Sequence, residues 1–327
     1  MLPALLLSCL ADKVHSDIRP LPLAPLEPPA GLTLSAAGCG GCHTAIWEAW
    51  HGSGMGQAWT GPLFQAQLAL DGNPICVRCH APLHEQAPTL VTGVEGLVPL
   101  RFAQEPNPDH SPALQHEGVT CAACHLRPGG ALAGPRAAGE VSAPHPVVHD
   151  TELGTAGCER CHQLAEPPLS RAARPLADTH GEHAAWGGDE SCADCHMPRV
   201  EQALVTGGEV RSTASHAFPS LVGTGIELGL HEGVAVLENR AGHRVPTAEP
   251  MRAYVVRGFS GTAVEEVRLE RRMDGYRDLE DTTLAPGETR RVAFSFPAER
   301  VELEYVACTE PELEGAAPAA RVVARAP

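Results

Sequence analysis

The chain has 327 residues, enough for two domains, and its acidic residues outnumber its basic ones by 40 to 24, a formal charge of −16. Lys13 is the only lysine and no Lys/Arg cluster occurs, which excludes a phosphate-binding face for nucleic acid and disfavours an anionic membrane surface as a direct partner. No apolar run approaches the ~18 residues of a membrane-spanning helix, and six Phe, four Trp and three Tyr are few rings with which to fill a core.

Residues 1–9, Met1-Leu-Pro-Ala-Leu-Leu-Leu-Ser-Cys9, read as the end of an export leader. Leu6-Leu-Ser-Cys9 is similar to a bacterial lipobox, which makes Cys9 the candidate lipidation site; a plain secretory leader or a buried Cys9 is the alternative. The apolar run is short and no basic residue precedes it, so the natural start is expected upstream. Residues 10–34 form a tether, Pro-rich from Arg19 to Ala30 and expected to be semi-extended.

Between 35 and 220, ten of the twelve cysteines fall into five Cys-x-x-Cys pairs, each followed directly by His. They are Cys39-Gly-Gly-Cys42-His43, Cys76-Val-Arg-Cys79-His80, Cys121-Ala-Ala-Cys124-His125, Cys158-Glu-Arg-Cys161-His162 and Cys192-Ala-Asp-Cys195-His196. Two thiols on one turn reach the two vinyl groups on a porphyrin edge and form thioethers, and the next residue then stands beneath the iron as its proximal ligand. Composition alone would give on the order of 0.02 such motifs in a chain like this one. Zinc ribbons neither need a His after every pair nor leave an odd pair over. Vicinal pairs also make poor long-range disulfide staples. The reading is five covalently bound haem c groups, held by the ten motif cysteines, with His43, His80, His125, His162 and His196 as proximal iron ligands. Five porphyrins also answer the shortage of aromatic rings.

The motifs begin 37, 45, 37 and 34 residues apart, which is not a strict repeat. Between them lie segments rich in Pro and Gly, with short helical patterns at 44–50 and within 165–185. After Leu221 the texture changes. Runs of β-branched or alternating apolar residues at 233–237, 253–258, 264–270, 290–296 and 301–307 predict strands, and Cys308 reads as a plain thiol beside one of them. The expected fold is a mostly irregular and α multihaem domain with a haem-filled core at 35–220, followed by a small all-β domain, an immunoglobulin-like sandwich, at 221–327.

The words around the motifs are more specific than the motifs themselves. They are Cys39-Gly-Gly-Cys-His-Thr-Ala-Ile-Trp-Glu-Ala-Trp50, Cys79-His-Ala-Pro-Leu83, Glu117-Gly-Val-Thr-Cys-Ala-Ala-Cys-His125 and Cys192-Ala-Asp-Cys-His-Met-Pro198, then His216-Ala-Phe-Pro219 and Asn239-Arg-Ala-Gly-His-Arg-Val-Pro-Thr247. Through them residues 37–260 resemble the multihaem cytochrome c family that includes the tetrahaem electron carrier of ammonia-oxidising bacteria.

Twelve histidines lie outside the motifs, more than five irons need as sixth ligands. In that family a ligand follows the first motif in a Trp-x-x-Ser-x-His pattern. Here Trp50-His-Gly-Ser-Gly-Met55 puts Met55 in its place, implying one His/Met haem of higher potential, with His51 as ligand or a merely packing Met55 as alternatives. The resemblance further implies His145 (alternatively His149), His216 and His243 as ligands. For the fifth place His116 leads His110 and His84. His180 and His183 have no counterpart and are expected at the surface near the last haem.

Five motifs between Cys39 and His196 imply porphyrins in near contact, hence an electron relay between redox proteins of the cell envelope, with an acidic surface suited to a basic partner patch. Haem c is attached outside the bacterial cytoplasm, so an exported protein is expected, periplasmic or anchored to the outer membrane through Cys9. The alternative is an oxidoreductase acting on a small nitrogen or sulfur compound at a five-coordinate haem, and a third reading makes the β-domain a partner-recognition module.

Overall fold

The computed structural model describes residues 25–97, 100–135, 143–151, 153–164, 175–248, 250–274, 277–313 and 315–327. The leader, Cys9 and residues 10–24 of the tether lie outside them. The chain divides into two compact units, Met1–Cys161 with Glu190–Pro219, and His162–Asp189 with Ser220–Pro327. One break between the units falls between Pro219 and Ser220. Residues 162–189 nonetheless join the strand-rich unit, for a polar reason. The buried Arg271 donates from Nη1 to the Pro175 carbonyl at 2.5 Å, and the buried Glu182 carboxylate accepts from Arg244 N at 3.0 Å and Thr247 Oγ1 at 2.7 Å.

The motif-bearing unit is built of short helices and two-stranded ribbons. Its described strands are β1 (Thr89–Leu97), β2 (Leu100–Pro106), β3 (Leu132–Gly134), β4 (Val147–His149), β5 (Arg199–Ala203) and β6 (Val210–Ala214). They pair as β1–β2 and β5–β6, antiparallel, and β3–β4, parallel. None of these strands was expected. In β1 the alternation is interrupted by Gly93 and Gly96, each at a register shift where the strand bulges, so no clean period of two survives. Among the described residues its apolar clusters are small: one centres on Leu83, Leu114, Ala122 and Leu126, another on Val77, Ala81 and Ala87. Clusters of this size are small beside the apolar core of the second unit.

The second unit has a conventional core. Its strands are β7 (Ile226–His231), β8 (Val234–Asn239), β9 (Ala253–Ser260), β10 (Ala263–Asp274), β11 (Arg277–Asp281), β12 (Thr289–Val292), β13 (Arg300–Val306) and β14 (Arg321–Ala326). One sheet runs β11-β10-β9-β13-β14, the other β12-β8-β7. Val256, Leu269, Val301 and Leu303 from the first and Ile226, Ala235, Leu237 and Val292 from the second share one apolar cluster. Each large aliphatic residue there contributes about 1.5–3 kcal/mol by burial. The Tyr254 hydroxyl, almost fully buried, accepts from Gly223 N at 3.1 Å. Cys308 is a buried thiol.

Candidate functional site

The motif cysteines sit on helical turns. Val77–His80, Cys121–His125 and Cys192–His196 are helices made of little else, the fourth motif is the last turn of Leu153–His162, and the first ends Ala36–Gly40 and leads into Thr44–His51. Local chemistry starts these turns. Ser35 Oγ accepts from Ala37 N, and Ser191 with Asp194 forms a reciprocal cap, whose hydrogen bonds from the Ser191 hydroxyl and amide hold the Asp194 carboxyl below its ordinary range. In the first motif only glycine fits at position 40, because a Cβ there would lie 2.7 Å from Trp47 Cγ.

The flanking words have structural tasks. Glu117 accepts from Ser35 Oγ at 2.5 Å and from the amide of the fully buried Ala36 at 2.7 Å, fastening the first motif's helix to the approach of the third. Trp50 Nε1 donates to the Val119 carbonyl at 2.8 Å, and Val119 N donates to the Met55 carbonyl at 3.0 Å. Gly118, at φ +65°, lies so near the turn 55–58 that a Cβ would meet Met55 O at 2.8 Å. Gln86, fully buried, donates to the Leu114 and Gly118 carbonyls at 2.9 and 2.7 Å. The sequence alone assigned Glu117, Gly118 and Gln86 no role, although Glu117 and Gly118 stood inside a word that carried the resemblance.

Three proximal candidates share one feature. The Nδ1 of His43 is 2.7 Å from the Leu204 carbonyl, that of His80 is 2.6 Å from the Ala58 carbonyl, and that of His125 is 2.8 Å from the Ala133 carbonyl. A carbonyl can only accept, so Nδ1 carries the proton and Nε2 keeps its lone pair, the tautomer and orientation of a metal-binding imidazole. Removal from water pushes the His125 pKa below the ordinary histidine range, favouring the neutral form. His80 is also stacked on Phe64, with ring centroids 3.6 Å apart and planes within 7°. The accepting carbonyls belong to residues outside the motifs, Leu204, Ala58 and Ala133, and no pattern announces them.

Sulfurs of different motifs lie close enough to perturb one another. The Cys121 thiol is hydrogen-bonded to Cys39, which lowers the Cys39 pKa to about 7 and raises that of Cys121. A hydrogen bond from Cys79 lowers Cys161, and one with Cys192 raises Cys158. Cys124 lies near enough to Cys161 for their charges to interact, while burial raises its pKa. The first motif thus adjoins the third, and the fourth adjoins the second, third and fifth. A Cβ on Gly154 would stand 2.9 Å from Ala193 Cβ, so the fourth and fifth motif helices approach closely because position 154 is glycine.

The sixth-ligand candidates are placed differently from one another. Met55 is half-buried in the turn against Gly118, while the alternative His51 is exposed and stacked on Trp47 at 4.8 Å. His116 is exposed, with Nδ1 2.7 Å from the Pro112 carbonyl. His84 and His110 engage Nε2, with Asp109 and with Gln115. His145 is half-buried and its Nδ1 is buried with no protein partner, an orphaned donor or ligand atom, whereas His149 is exposed. His216 lies 6.2 Å from His125, ring centre to ring centre. His243 lies in the second unit, its Nδ1 2.8 Å from the Arg244 carbonyl and its own carbonyl accepting from the buried Asn239. His180 and His183, expected at the surface, are half-buried on the helix Thr179–Trp186.

No family model and no curated protein matches the sequence. Among solved structures the chain is similar to a penta-heme cytochrome c552 from Thermochromatium tepidum, with a TM-score of 0.66 at 19% identity, over 89% of this chain and 97% of that one. The chain has the fold of that cytochrome. The donor set here fits the group that such a fold carries. Each turn offers two sulfurs and an imidazole, three of the imidazoles are held in the metal-binding tautomer, and the apolar clusters of the unit around them are small among the described residues.

Proposed function

We propose that the protein is an exported multihaem cytochrome that passes electrons between redox partners of the bacterial envelope. The ten motif cysteines would hold five haem c groups through thioethers, with His43, His80, His125, His162 and His196 as proximal ligands and Met55, His116, His145, His216 and His243 as the candidates opposite them. Bound haem supplies one-electron chemistry at iron. The protein fixes the order of the carriers and sets the basicity of each imidazole through its Nδ1 partner.

The observation that carries this reading is the nearness of sulfurs of different motifs. Thioethers lie at the porphyrin edge, so attachment points that neighbour one another bring the edges of neighbouring groups together. These neighbours support an order first–third–fourth, with the second and fifth both beside the fourth. Such a branched arrangement suits collection and delivery of electrons at several points. The net charge of −16 suits docking to a basic patch. The small β-sheets of the second unit fit an immunoglobulin-like sandwich, and Cys9 remains the proposed lipid anchor.

A spectroscopic redox titration of the haem-loaded protein, combined with stopped-flow reduction, tests the relay. The proposal expects one Nernstian component per haem, broadened by interaction between neighbours, and complete internal equilibration within the mixing time. Independent single-haem behaviour, or a fraction of haem that equilibrates slowly with the rest, would overturn it.

A further inference from the structure

We infer that His216 and His125 are opposite axial ligands of one iron, the one held by the third motif, so that a segment following the fifth motif closes the coordination sphere of the third. This deepens the reading of the protein as a multihaem cytochrome and rests on it. The two ring centroids are 6.2 Å apart with planes 28° from parallel. An iron bound at about 2 Å by the Nε2 atoms of two opposed imidazoles sets their ring centres about 6 Å apart. Direct ring stacking would bring them closer, and ligation of separate irons in separate porphyrins would not fix this spacing.

The orientation agrees. His125 Nδ1 bonds the Ala133 carbonyl and His216 Nδ1 bonds the Ala214 carbonyl at 3.0 Å, so both rings keep the Nε2 lone pair for another partner. His216 is also delivered to its place by a built support. It follows β6 directly, and the β5–β6 ribbon is tied at its tip to the first motif, where Thr206 N donates to the Cys42 carbonyl at 2.8 Å and the Leu204 carbonyl accepts from His43. At the ribbon's base Ser215 N donates to the Pro198 carbonyl at 2.9 Å, beside the fifth motif. One ribbon therefore spans the first, third and fifth motifs. Two residues on, Phe218 adopts φ +43°, a region that an aromatic residue rarely enters, and its ring stands edge-on to His216 at 6.2 Å. Strain held beside a half-buried histidine marks a position under geometric demand.

The test uses the mature, haem-loaded protein. In the fully reduced state the ring protons of His125 and His216 should both be shifted strongly upfield and should show nuclear Overhauser contacts to the same haem, the one bonded to Cys121 and Cys124. In the oxidised H216G variant, electron paramagnetic resonance should show one haem fewer in the low-spin state, restored by added imidazole. Contacts from His216 to another haem, such as that of the first motif, would overturn the pairing while leaving His216 a ligand. An H216G variant with an unchanged low-spin count would overturn it by removing His216 from iron altogether. A mature protein that carries no thioether-bound haem would sink the underlying reading instead, and is recognised before either variant is made.

Discussion

Substituting Gly118 by Ala tests whether the turn 55–58 and the approach to the third motif are one packed piece. Gly118 has φ +65°, and an added Cβ would meet three backbone atoms, Met55 O at 2.8 Å, Ala58 N at 3.0 Å and Gly56 O at 3.2 Å. Left-handed backbone costs a non-glycine residue about 1–2 kcal/mol, and forcing backbone apart in a packed site adds about 1–3 kcal/mol. The total expected for G118A is about 3 kcal/mol. Gly72 supplies the control: its φ is +61°, but a Cβ there meets nothing within 4 Å, so G72A should cost only the conformational part, about 1 kcal/mol. Urea unfolding of the purified, haem-loaded proteins followed by far-UV circular dichroism gives both values. The Ala58 carbonyl accepts from His80, so G118A should also alter the spectrum of the haem at the second motif. If G118A costs no more than G72A, the close approach is not a constraint and the reasoning fails.

Three further outcomes follow from the same reasoning. Removing the Glu182 carboxylate by E182A takes the acceptor from Arg244 N and leaves Thr247 Oγ1 with its Thr179 Oγ1 partner, and should cost about 2 kcal/mol in urea unfolding, with E182Q intermediate. R271M leaves the Asp278 carboxylate, bound to Arg271 Nε at 2.7 Å, without its guanidinium, and should destabilise the second unit by about 3 kcal/mol, measured by the same unfolding assay. Burial pushes the Tyr254 phenol up to about 12, so the unfolded chain ionises first; the stability that Tyr254 contributes is present below pH 10 and declines as pH rises from 10 to 12, and Y254F should flatten that decline in unfolding curves measured across the interval.

How much was legible depended on where the chemistry is written. Ten cysteines and five histidines announce themselves, because attachment chemistry demands fixed spacing along one turn. The supports of those residues do not, since the carbonyl that orients His43 belongs to Leu204 and any side chain could stand there. Strands with apolar alternation, β8, β9, β10, β12 and β13, were visible near their observed bounds. The edge strand β11, Arg277–Asp281, reads Arg-Asp-Leu-Glu-Asp and is mostly exposed, so burial leaves no mark on its sequence. In β7 Gly229 interrupts the apolar pattern of Ile226, Leu228 and Leu230. The helix Thr179–Trp186 was seen only as a broken helical tendency, and its membership of the second unit rests on Glu182 and Arg271, whose partners lie more than sixty residues away.

The central claim is that all five motifs hold thioether-bound haem in one chain. Mass mapping of a proteolytic digest of the purified protein tests it directly, whatever the processing of the N-terminus. The account predicts that the peptides containing Cys39/Cys42, Cys76/Cys79, Cys121/Cys124, Cys158/Cys161 and Cys192/Cys195 are each recovered with one haem attached and survive acid and organic solvent in that form. Any motif peptide recovered with unmodified thiols, in disulfide form, or from a protein whose metal is zinc lost on denaturation, would contradict it.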